Sequence, residues 1–436
     1  MSIYDYEQAF GAADKTSRAM RQAIKEWFGL YYRTAPGDGY DPCQRIAYTV
    51  VSKLVKAVFG EYSVSASDPA TARIASALNE KRVQAMGLAL IGGECYIKPC
   101  IGPEGIGFRL ISRDNVLIFG RDERGEPTDV GTLERSVSGK YYYTLLERRR
   151  VDEKGYLTIE NRLYRSLSSR NLGQQTALKE HPSYARLAEK YRYELPVGSV
   201  GLVRLKTPMV NCVDGSADGV SVYASAVGLI RNIDRNEAQL CGEFDRGESR
   251  IIVSADMLDQ DGLRDHLFVG LDEDPERVGL TVFAPQLREQ SFLARKQEYL
   301  RNVESIIGLK RGMLSDANVE ERTATEITAS AAEYSLTVMD FQQMWENALH
   351  QMVGLCTVLC RLYRLEEPMN TDISVDWGNG VLYDEEKTWA DYLEMVRLGL
   401  LKPEIALGWR FNLPARTEAE LMAIRQKFMP EKREEV

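Results

Sequence analysis

The stretch GVSVYASAVGLIRNIDRNEAQLCGEFDRGESRIIV, from Gly219 to Val253, joins a long amphipathic pattern directly to an apolar, β-branched run. Between Val220 and Asp245 the apolar residues recur mostly at steps of three and four, which predicts a helix with one packed face. Such a helix would be about 40 Å long, well beyond the usual three or four turns. The periodicity alone fits equally well an ordinary surface helix of an α/β enzyme.

Length and composition indicate an intracellular protein with two or three domains. The chain has 436 residues, of which 44% are hydrophobic and 27% charged, and this length exceeds what one compact core usually holds. The N-terminal residues lack the features of a signal peptide, and no apolar run is long enough to span a membrane. Seven cysteines, an odd number spread thinly, predict free and mostly buried thiols in a reducing cytoplasm.

The formal charge of -9 argues against general affinity for nucleic acid, because such binding needs Lys and Arg to neutralise phosphates. An acidic protein can nevertheless conduct DNA. A channel through which a polyanion slides should repel it mildly and confine positive charge to a few points. Composition therefore leaves open whether the protein meets DNA.

The N-terminal half is predicted to be mixed α and β. Residues 1–33 read as one amphipathic helix that a Pro/Gly cluster ends, and Ile46–Phe59 reads as a core helix. A further helix is expected around 70–89. The region from about 94 to 205 alternates strand patterns with turn signals and contains an exposed, flexible insert at 167–192.

In the C-terminal half, two strand patterns, IIVSADML and LTVFAP, follow the long helix. Helix is predicted over 286–307, and a second helix longer than about 50 Å over 325–363. The segment between them, GLKRGMLSDANVEER, begins at Gly308 and contains residues that disfavour helix. A strand at 373–375 and three short helices starting at Glu385, Pro403 and Thr417 complete the prediction.

The motifs of familiar enzymes are not found in the sequence. The only Gly-Lys pair, Gly139-Lys140, lacks the rest of a phosphate loop, and the three histidines lie in different predicted elements. Cys356 and Cys360 lie one helical turn apart, but buried thiols explain them better than a metal site does. The glycine-rich segment at 102–110 is predicted to be a hairpin turn. No cofactor, metal site or catalytic residue is therefore predicted.

Several segments together resemble the portal proteins, which are the head-tail connectors of long-tailed double-stranded DNA bacteriophages. The likeness lies in Asp234, the pair Glu243-Phe244 and the run from Arg250 to Val253. Three more segments follow in the family's order: PQLREQSFLARKQEYLRNVESIIGL, ERTATEI and SVDWGNGVLYDEEKTWADYLEMVRLGLLKPEIAL, which begin at Pro285, Glu321 and Ser374. Before Gly219, only Ile46–Tyr62 resembles the family, and more weakly.

The resemblance implies an α+β, portal-like fold. Its parts would be a mixed α/β wing, two stem helices, a small α/β clip, a tunnel loop, a long wing helix and a short helical crown after a return strand. In this sequence these parts would correspond to 1–218 (wing), 219–249 (stem), 250–285 (clip), 286–307 (stem), 308–324 (tunnel loop), 325–370 (long wing helix) and 371–436 (return strand and crown).

The resemblance also implies positions for candidate functional residues. In the tunnel loop, Lys310 and Arg311 are an adjacent basic pair of the type that contacts a phosphate backbone. In the clip, the acidic segment LDEDPER, which begins at Leu271, would face partner proteins. The candidates are Lys310, Arg311, Asp316, Asn318 and Arg322 for the DNA channel, Arg250, Asp272, Glu273, Asp274 and Arg277 for docking at the clip, and Arg231, Asp234, Arg235, Glu243, Phe244 and Arg288 for the stem.

The function that the resemblance implies is structural. A ring of about twelve copies at one capsid vertex of the virion, assembled in the host cytoplasm, would pass double-stranded DNA without reading its sequence. Its partners would be the terminase motor, head-completion or adaptor proteins, and the major capsid and scaffolding proteins, with no membrane. The alternatives are another minor phage structural protein or adaptor, and an uncharacterised enzyme with a polar pocket that one sequence does not reveal.

Overall fold

The structure is a computed structural model that describes residues 3–33, 40–102, 105–247, 250–254, 268–271, 281–283, 286–316, 324–378, 385–411, 413–415 and 417–429. Within these ranges, only the backbone is described at 3–4, 250–254, 268–271, 281–283, 324–332 and 385–388. The chain divides into two compact units, which consist of residues 1–59 with 64–375, and of residues 60–63 with 376–436.

Helices occur in both units. Those of the described chain are α1 (Ile3–Phe10), α2 (Arg18–Tyr31), α3 (Ile46–Val58), α4 (Pro69–Asn79), α5 (Arg82–Gly92), α6 (Val227–Arg246), α7 (Glu289–Ile307), α8 (Ala324–Tyr363), α9 (Glu385–Arg397), α10 (Pro403–Arg410) and α11 (Glu418–Phe428).

The described strands form four small sheets. They are β1 (Ser63–Ala66), β2 (Glu94–Gly102), β3 (Gly105–Ser112), β4 (Val116–Arg121), β5 (Pro127–Ser138), β6 (Tyr141–Val151), β7 (Leu157–Ser166), β8 (Gln174–Thr176), β9 (Lys190–Arg192), β10 (Val203–Lys206), β11 (Arg250–Ser254), β12 (Phe268–Leu271), β13 (Thr281–Phe283) and β14 (Ile373–Asp376). The sheet orders are β1-β14, β10-β2-β3, β12-β11-β13 and β4-β5-β6-β7-β8, with β9 also paired to β7. The class is therefore α+β with largely antiparallel sheets, as the sequence predicts.

The prediction of a single helix over 1–33 is wrong, because the chain forms two helices, α1 and α2, with a break between them. Gly11 adopts a φ of 67°, which ends α1. The side chain of Ser17 then accepts a hydrogen bond from the amide of Met20 and caps α2. Between these helices, Asp14 accepts a hydrogen bond from the amide of Ile118 at 3.0 Å, which ties the break to β4.

The other predictions for the N-terminal half are partly confirmed. Helix α3 matches the prediction for 46–59, and its apolar face is buried. The helix expected at 70–89 is instead the pair α4 and α5. The 167–192 segment is not simply an exposed insert, since β8 and β9 both pair with β7 and the side chains of Leu178 and Tyr184 are buried.

The long helix that follows Gly219 begins at Val227 rather than near Val220, so its 20 residues span about 30 Å. The preceding residues form a short 3-10 helix, Ala224–Ala226, and residues 220–222 are hydrogen-bonded to distant parts of the chain. The amide of Val222 and the hydroxyl of Ser221 both donate to the carbonyl of Leu90, at 2.9 and 3.0 Å. The hydroxyl of Thr207 donates to the carbonyl of Val220 at 2.7 Å. These bonds compete with helix formation and explain the shorter α6.

Two glycines, Gly93 before β2 and Gly219 ahead of α6, lie in close contact. Gly93 has a φ of 81°, and a Cβ added to it would lie 2.3 Å from the carbonyl carbon of Gly219. A Cβ on Gly219 would lie 2.2 Å from the carbonyl oxygen of Gly93. Neither position accommodates a side chain without displacing backbone, so the close approach requires glycine at both.

A buried carboxylate lies beside this contact. Glu94 is fully buried, and its oxygens accept hydrogen bonds from the amide of Gly219 at 2.7 Å and the hydroxyl of Tyr96 at 2.8 Å. Its carboxylate also pairs with Arg113 at 3.3 Å and Arg204 at 3.1 Å. Burial by itself would raise the pKa of Glu94, but the two guanidinium groups and the hydrogen bonds outweigh it and lower the pKa.

The C-terminal predictions are confirmed where the structure describes them. Helix α8 has 40 residues and is about 60 Å long, and β14 covers the predicted strand. Pro403 occupies the first turn of α10, and Thr417 forms a capping box with Glu420 at the start of α11. Asp384, whose residue type favours a helix N-terminus directly before Glu385, lies outside the described residues.

We predict that Glu94→Gln lowers the free energy of unfolding by about 3 kcal/mol, because it removes the buried carboxylate that Arg113 and Arg204 share and leaves each guanidinium with one remaining carboxylate partner, Asp218 and Glu126 respectively. Urea denaturation followed by circular dichroism measures the effect. The matched control is Glu366→Gln, which removes the partner of Arg73 from an exposed ion pair and should change the free energy by no more than about 0.5 kcal/mol. Equal midpoints for the two variants would contradict the role given to Glu94.

Candidate functional site

Helices α6 and α7 form an antiparallel hairpin, whose two helices are joined by side-chain contacts. The Nδ2 of Asn236 donates to the carbonyl of Phe292 at 3.0 Å. The ammonium of Lys296 pairs with Glu237 at 2.9 Å. Further along, Glu243 of α6 pairs with Arg288, which directly precedes α7, at 2.8 Å. Higher numbers on α6 therefore match lower numbers towards the start of α7, and the cross-links fix the register of the two helices.

The seam between the helices is apolar except at one position on each helix. On α6 the buried side chains are Ile230, Ile233, Asn236 and Leu240, and on α7 they are Leu300, Val303, Glu304 and Ile307. Both sets follow the three- and four-residue spacing of a packed helix face. A buried polar side chain needs hydrogen-bond partners. Glu304 and the Nδ2 of Asn236 find them in backbone groups outside their own helices, whereas the Oδ1 of Asn236 has none among the described residues.

The segment before α3 is hydrogen-bonded to both helices of the hairpin. The backbone amide of Gln44 donates to Asp234 of α6 at 2.9 Å, and its side-chain oxygen accepts from Lys296 of α7 at 2.7 Å. Arg33 lies 3.5 Å from Asp234, yet burial outweighs this distant pairing and raises the pKa of the Asp234 carboxyl. Gln44 therefore contacts both helices of the hairpin at once.

The other predicted stem residues lie at different places along the hairpin. Arg231 pairs with Glu26 of α2 at 2.6 Å, and Arg235 is exposed. Near the far end, Arg288 donates two hydrogen bonds to Glu243, at 2.9 and 2.8 Å, and Phe244 is 44% exposed. The structure thus brings together Glu243 and Arg288, while the remaining stem candidates face separate surroundings.

The far end of the hairpin continues into the three-stranded sheet β12-β11-β13, in which β11 pairs parallel to β12 and antiparallel to β13. Two of these strands match predicted strands, whereas β12 was missed by the sequence prediction. Arg250 begins β11, and its side chain is outside the description. The other clip candidates, Asp272, Glu273, Asp274 and Arg277, lie outside the described residues.

The segment after α7 is a closed loop rather than an extended connection. Gly308 has a φ of 75° and ends the helix, and the amide of Leu309 donates to the carbonyl of Glu304 at 2.9 Å. The chain then returns so that the amide of Ser315 donates to the buried Glu304 carboxylate at 2.9 Å. The amide of Asp316 donates to the side-chain oxygen of Gln297 at 2.8 Å.

Lys310 and Arg311 lie at the exposed part of this loop. Asp316 is also exposed and lies where the described part of the loop ends. Asn318 and Arg322 lie outside the described residues. The structure therefore places the predicted basic pair together on one surface turn next to the hairpin.

The sequence prediction missed the residues that hold this region together, namely Gln44, Asn236, Lys296, Gln297 and Glu304. Two of them carried a usable signal. Asn236 and Glu304 are polar residues at positions where the helical spacing requires an apolar residue. Glu304 also precedes a glycine-rich turn, whose amides are natural partners for a carboxylate. Gln44 carried no such signal, because its contacts are distant in sequence.

A cleft of about 570 Å³ lies elsewhere in the first unit, between β2, β6, β7 and α8. At its wall the carboxylate of Glu147 is buried and pairs with Lys98 at 2.5 Å and Arg149 at 2.6 Å. Burial would raise the pKa of Glu147, but the charges of Arg149 and Lys98 and their hydrogen bonds hold it at about 2. With a pKa this low, the Glu147 carboxylate stays ionised near neutral pH, and its ion pairs join β2 to β6 rather than providing a general acid or base.

The cysteines are all free thiols, and Cys95, Cys356 and Cys360 are buried. Over the described ranges, no three His, Cys, Asp or Glu side chains are grouped so as to hold a metal ion. Of the helices that the structure describes, none has the length and apolar composition needed to cross a bilayer.

Comparisons with known proteins give one structural similarity to report. No family model matches the chain, and no curated protein matches it. Among solved structures, a chain from the neck of a native GTA particle, computed with C12 symmetry, is similar over 92% of this chain and 99% of that chain. The TM-score is 0.48 and the sequence identity 13%, which is too distant a likeness to assign a fold family or a role.

We predict that Glu147→Gln makes the unfolding free energy less dependent on pH between about 4.5 and 2. The Glu147 carboxyl has a lower pKa in the folded protein than its ordinary value of 4.5, so its ionisation stabilises the fold above pH 4.5. That stabilisation, roughly 3 kcal/mol, is lost as the pH falls through about 2. Denaturant unfolding of the wild type and the variant at several pH values measures the difference, and a difference that stays constant across this range would contradict the prediction.

Proposed function

We propose that the chain is a portal subunit, a structural protein that forms a ring of about twelve copies at one vertex of a phage capsid. The α6–α7 hairpin would be the stem that lines the channel, the β11–β13 sheet part of the clip, and the 308–324 segment the tunnel loop. Helix α8 would cross the wing, and the second unit would belong to the crown. The observation that carries the proposal is the hairpin, which ends in a small sheet and is followed by a loop with an exposed basic pair.

The hairpin supports this proposal because polar contacts between its two helices fix their relative position. Three polar contacts fix its register along most of its length: Asn236 with Phe292, Glu237 with Lys296, and Glu243 with Arg288. A ligand pocket would need a concave surface between elements. A channel wall needs instead a straight element of fixed length with side-chain contacts at both ends.

Exposed apolar side chains support assembly into a ring. Leu293 and Ile306 on α7 are 43% and 48% exposed, and Leu336 and Met339 on α8 are 63% and 51% exposed. Leu336 and Met339 lie about one turn apart on α8, and neighbouring exposed apolar side chains favour coverage by another protein surface. In the proposed ring, neighbouring copies would cover them, since lateral contacts repeat the same pair of surfaces around a closed ring.

The dimensions of such a ring fit duplex DNA. Twelve helices about 10 Å across give a circumference of roughly 120 Å and a hole of roughly 28 Å inside the helices. A duplex with groove depths of about 8 Å is roughly 20 Å wide, which leaves space for water. The net charge of -9 would weaken binding to DNA by electrostatic repulsion, so attractive contacts would be limited to a few basic residues.

The proposed partners follow from the same role. The terminase would dock at the clip during packaging, and head-completion or adaptor proteins would replace it afterwards. The major capsid and scaffolding proteins would surround the wing when the virion assembles in the host cytoplasm. The role is structural rather than enzymatic, and DNA would pass without sequence-specific contacts.

We predict that the purified chain, alone or coexpressed with its scaffolding and capsid proteins, forms rings of about twelve subunits with a central hole. Negative-stain electron microscopy with class averaging measures the subunit number and the hole. Compact monomers or two-fold dimers under all assembly conditions would contradict the proposal.

We predict that the double variant Lys310→Ala/Arg311→Ala forms normal rings but reduces the length or the retention of packaged DNA. The physical reason is the loss of a ring of positive charge from an otherwise acidic channel. Pulsed-field analysis of DNA from particles that carry the variant measures this, and the dependence of retention on salt should become shallower.

The matched control is Arg170→Ala/Lys179→Ala, which removes the same charge from exposed positions outside the hairpin and its loop. This control should retain wild-type packaging. Wild-type packaging and retention in the Lys310/Arg311 variant, at low and at physiological salt, would remove these residues from the channel.

A further inference from the structure

The loop after α7 closes on a single side chain. Glu304 is 1% exposed, and its two carboxylate oxygens accept hydrogen bonds from four groups of the returning chain. The amide of Gly312 lies 3.1 and 3.2 Å from the two oxygens, and the hydroxyl of Ser315 lies 2.8 Å from one of them. The amides of Leu314 and Ser315 complete the set. One residue of α7 thereby fixes backbone positions eight to eleven residues further along the chain.

The start of the loop is also fixed. Leu309 is 4% exposed and packs inward directly after the helix ends. A Cβ added to Gly308 would lie 2.6 Å from the hydroxyl oxygen of Thr337, so the turn rests closely against α8. The exposed residues 310 and 311 therefore stand between two anchored ends, the Gly308–Leu309 turn and the amides bound to Glu304.

A basic pair on a fixed turn differs physically from the same pair on a free loop. A free loop must lose conformational entropy when its side chains contact a phosphate backbone, at about 1–2 kcal/mol for each residue that becomes ordered. A loop that is already ordered avoids that cost, so the same charges bind more strongly. The number of ions released from DNA depends on the charges alone and is the same in both cases.

We propose that Glu304 is a positioning residue, which holds the 308–316 loop so that Lys310 and Arg311 are presented together to the DNA backbone. This inference rests on the proposed function, since it names how the channel contact is made. The alternative is that Glu304 only completes the helix end, in which case loosening the loop would leave DNA contact unchanged.

The test compares Glu304→Gln with Glu298→Gln in assembled rings and particles. Both variants remove one carboxylate from α7, but Glu298 is exposed. In Glu304→Gln, one of the two acceptor oxygens becomes an NH2 group that faces hydrogen-bond donors. Hydrogen exchange at the amides of Gly312, Leu314 and Ser315 should become at least tenfold faster in Glu304→Gln and stay unchanged in Glu298→Gln.

The functional readout is retention of packaged DNA as a function of salt. Glu304→Gln should reduce retention at every salt concentration while keeping the wild-type slope, because the two positive charges remain. The Lys310→Ala/Arg311→Ala variant should instead make the slope shallower. If Glu304→Gln does not assemble, Ser315→Ala removes one of the four donors and should show a smaller effect in the same direction.

The outcomes separate this inference from the proposed function. Unchanged exchange in Glu304→Gln would overturn the anchoring role of Glu304. Faster exchange with wild-type retention, while Lys310→Ala/Arg311→Ala loses DNA, would overturn positioning and leave the channel contact in place. Wild-type retention in both variants would overturn the channel contact, and the inference would fall with it.

Discussion

The buried carboxylate of Glu94 is the contact on which the path of the chain from the β10-β2-β3 sheet to the hairpin depends. It joins β2, which carries it, to Arg113, to Arg204 of β10 and to the amide of Gly219. A buried charge is tolerated only when its partners are close and its hydrogen bonds are satisfied. Because one partner is the backbone where the chain turns towards α6, the same interactions that stabilise the sheet also set where the hairpin begins. The glycine contact beside Glu94 leaves no room for that starting point to shift.

In the hairpin, too, buried polar groups fix the relative position of the elements that they join. Its seam is mostly apolar, and apolar seams alone allow helices to slide or change register at little cost. Asn236 and Glu304 each place a polar group in the seam, and each finds its partner in the backbone of a neighbouring segment. A shift by one turn would leave these groups buried without partners, which costs about 1–3 kcal/mol for each. The polar residues therefore select one register among several that the apolar residues would permit.

Much of the fold follows from local patterns in the sequence. The apolar face of α3, the 40-residue α8 and the caps at Pro403 and Thr417 depend on residues close in sequence, and all of these were predicted. The errors arise where distant contacts override local preference. Residues 220–226 read as helix, but hydrogen bonds to Leu90 and Thr207 hold them outside α6. Residues 11–17 read as helix, but the left-handed Gly11, the Ser17 cap and the contact of Asp14 with β4 break it.

The candidate site shows the same division. The basic pair at Lys310 and Arg311 was visible as two adjacent charges in a helix-breaking segment. The carboxylate that organises their loop was not predicted, although its place in an apolar stripe was a signal. The contacts of Gln44 with Asp234 and Lys296 join residues about 190 and 252 positions apart, and no local pattern reports such a pairing.

Those contacts of Gln44 have a mechanical consequence. Its backbone amide holds α6 and its side-chain oxygen holds α7, so one residue outside the hairpin is bonded to both of its antiparallel arms. Tension along the chain that pulls one arm past the other must stretch both bonds together, at a point where Glu237 and Lys296 also join the arms. Gln44 therefore opposes sliding of α6 past α7. A force along the hairpin is transmitted through Gln44 to α3, which begins two residues later.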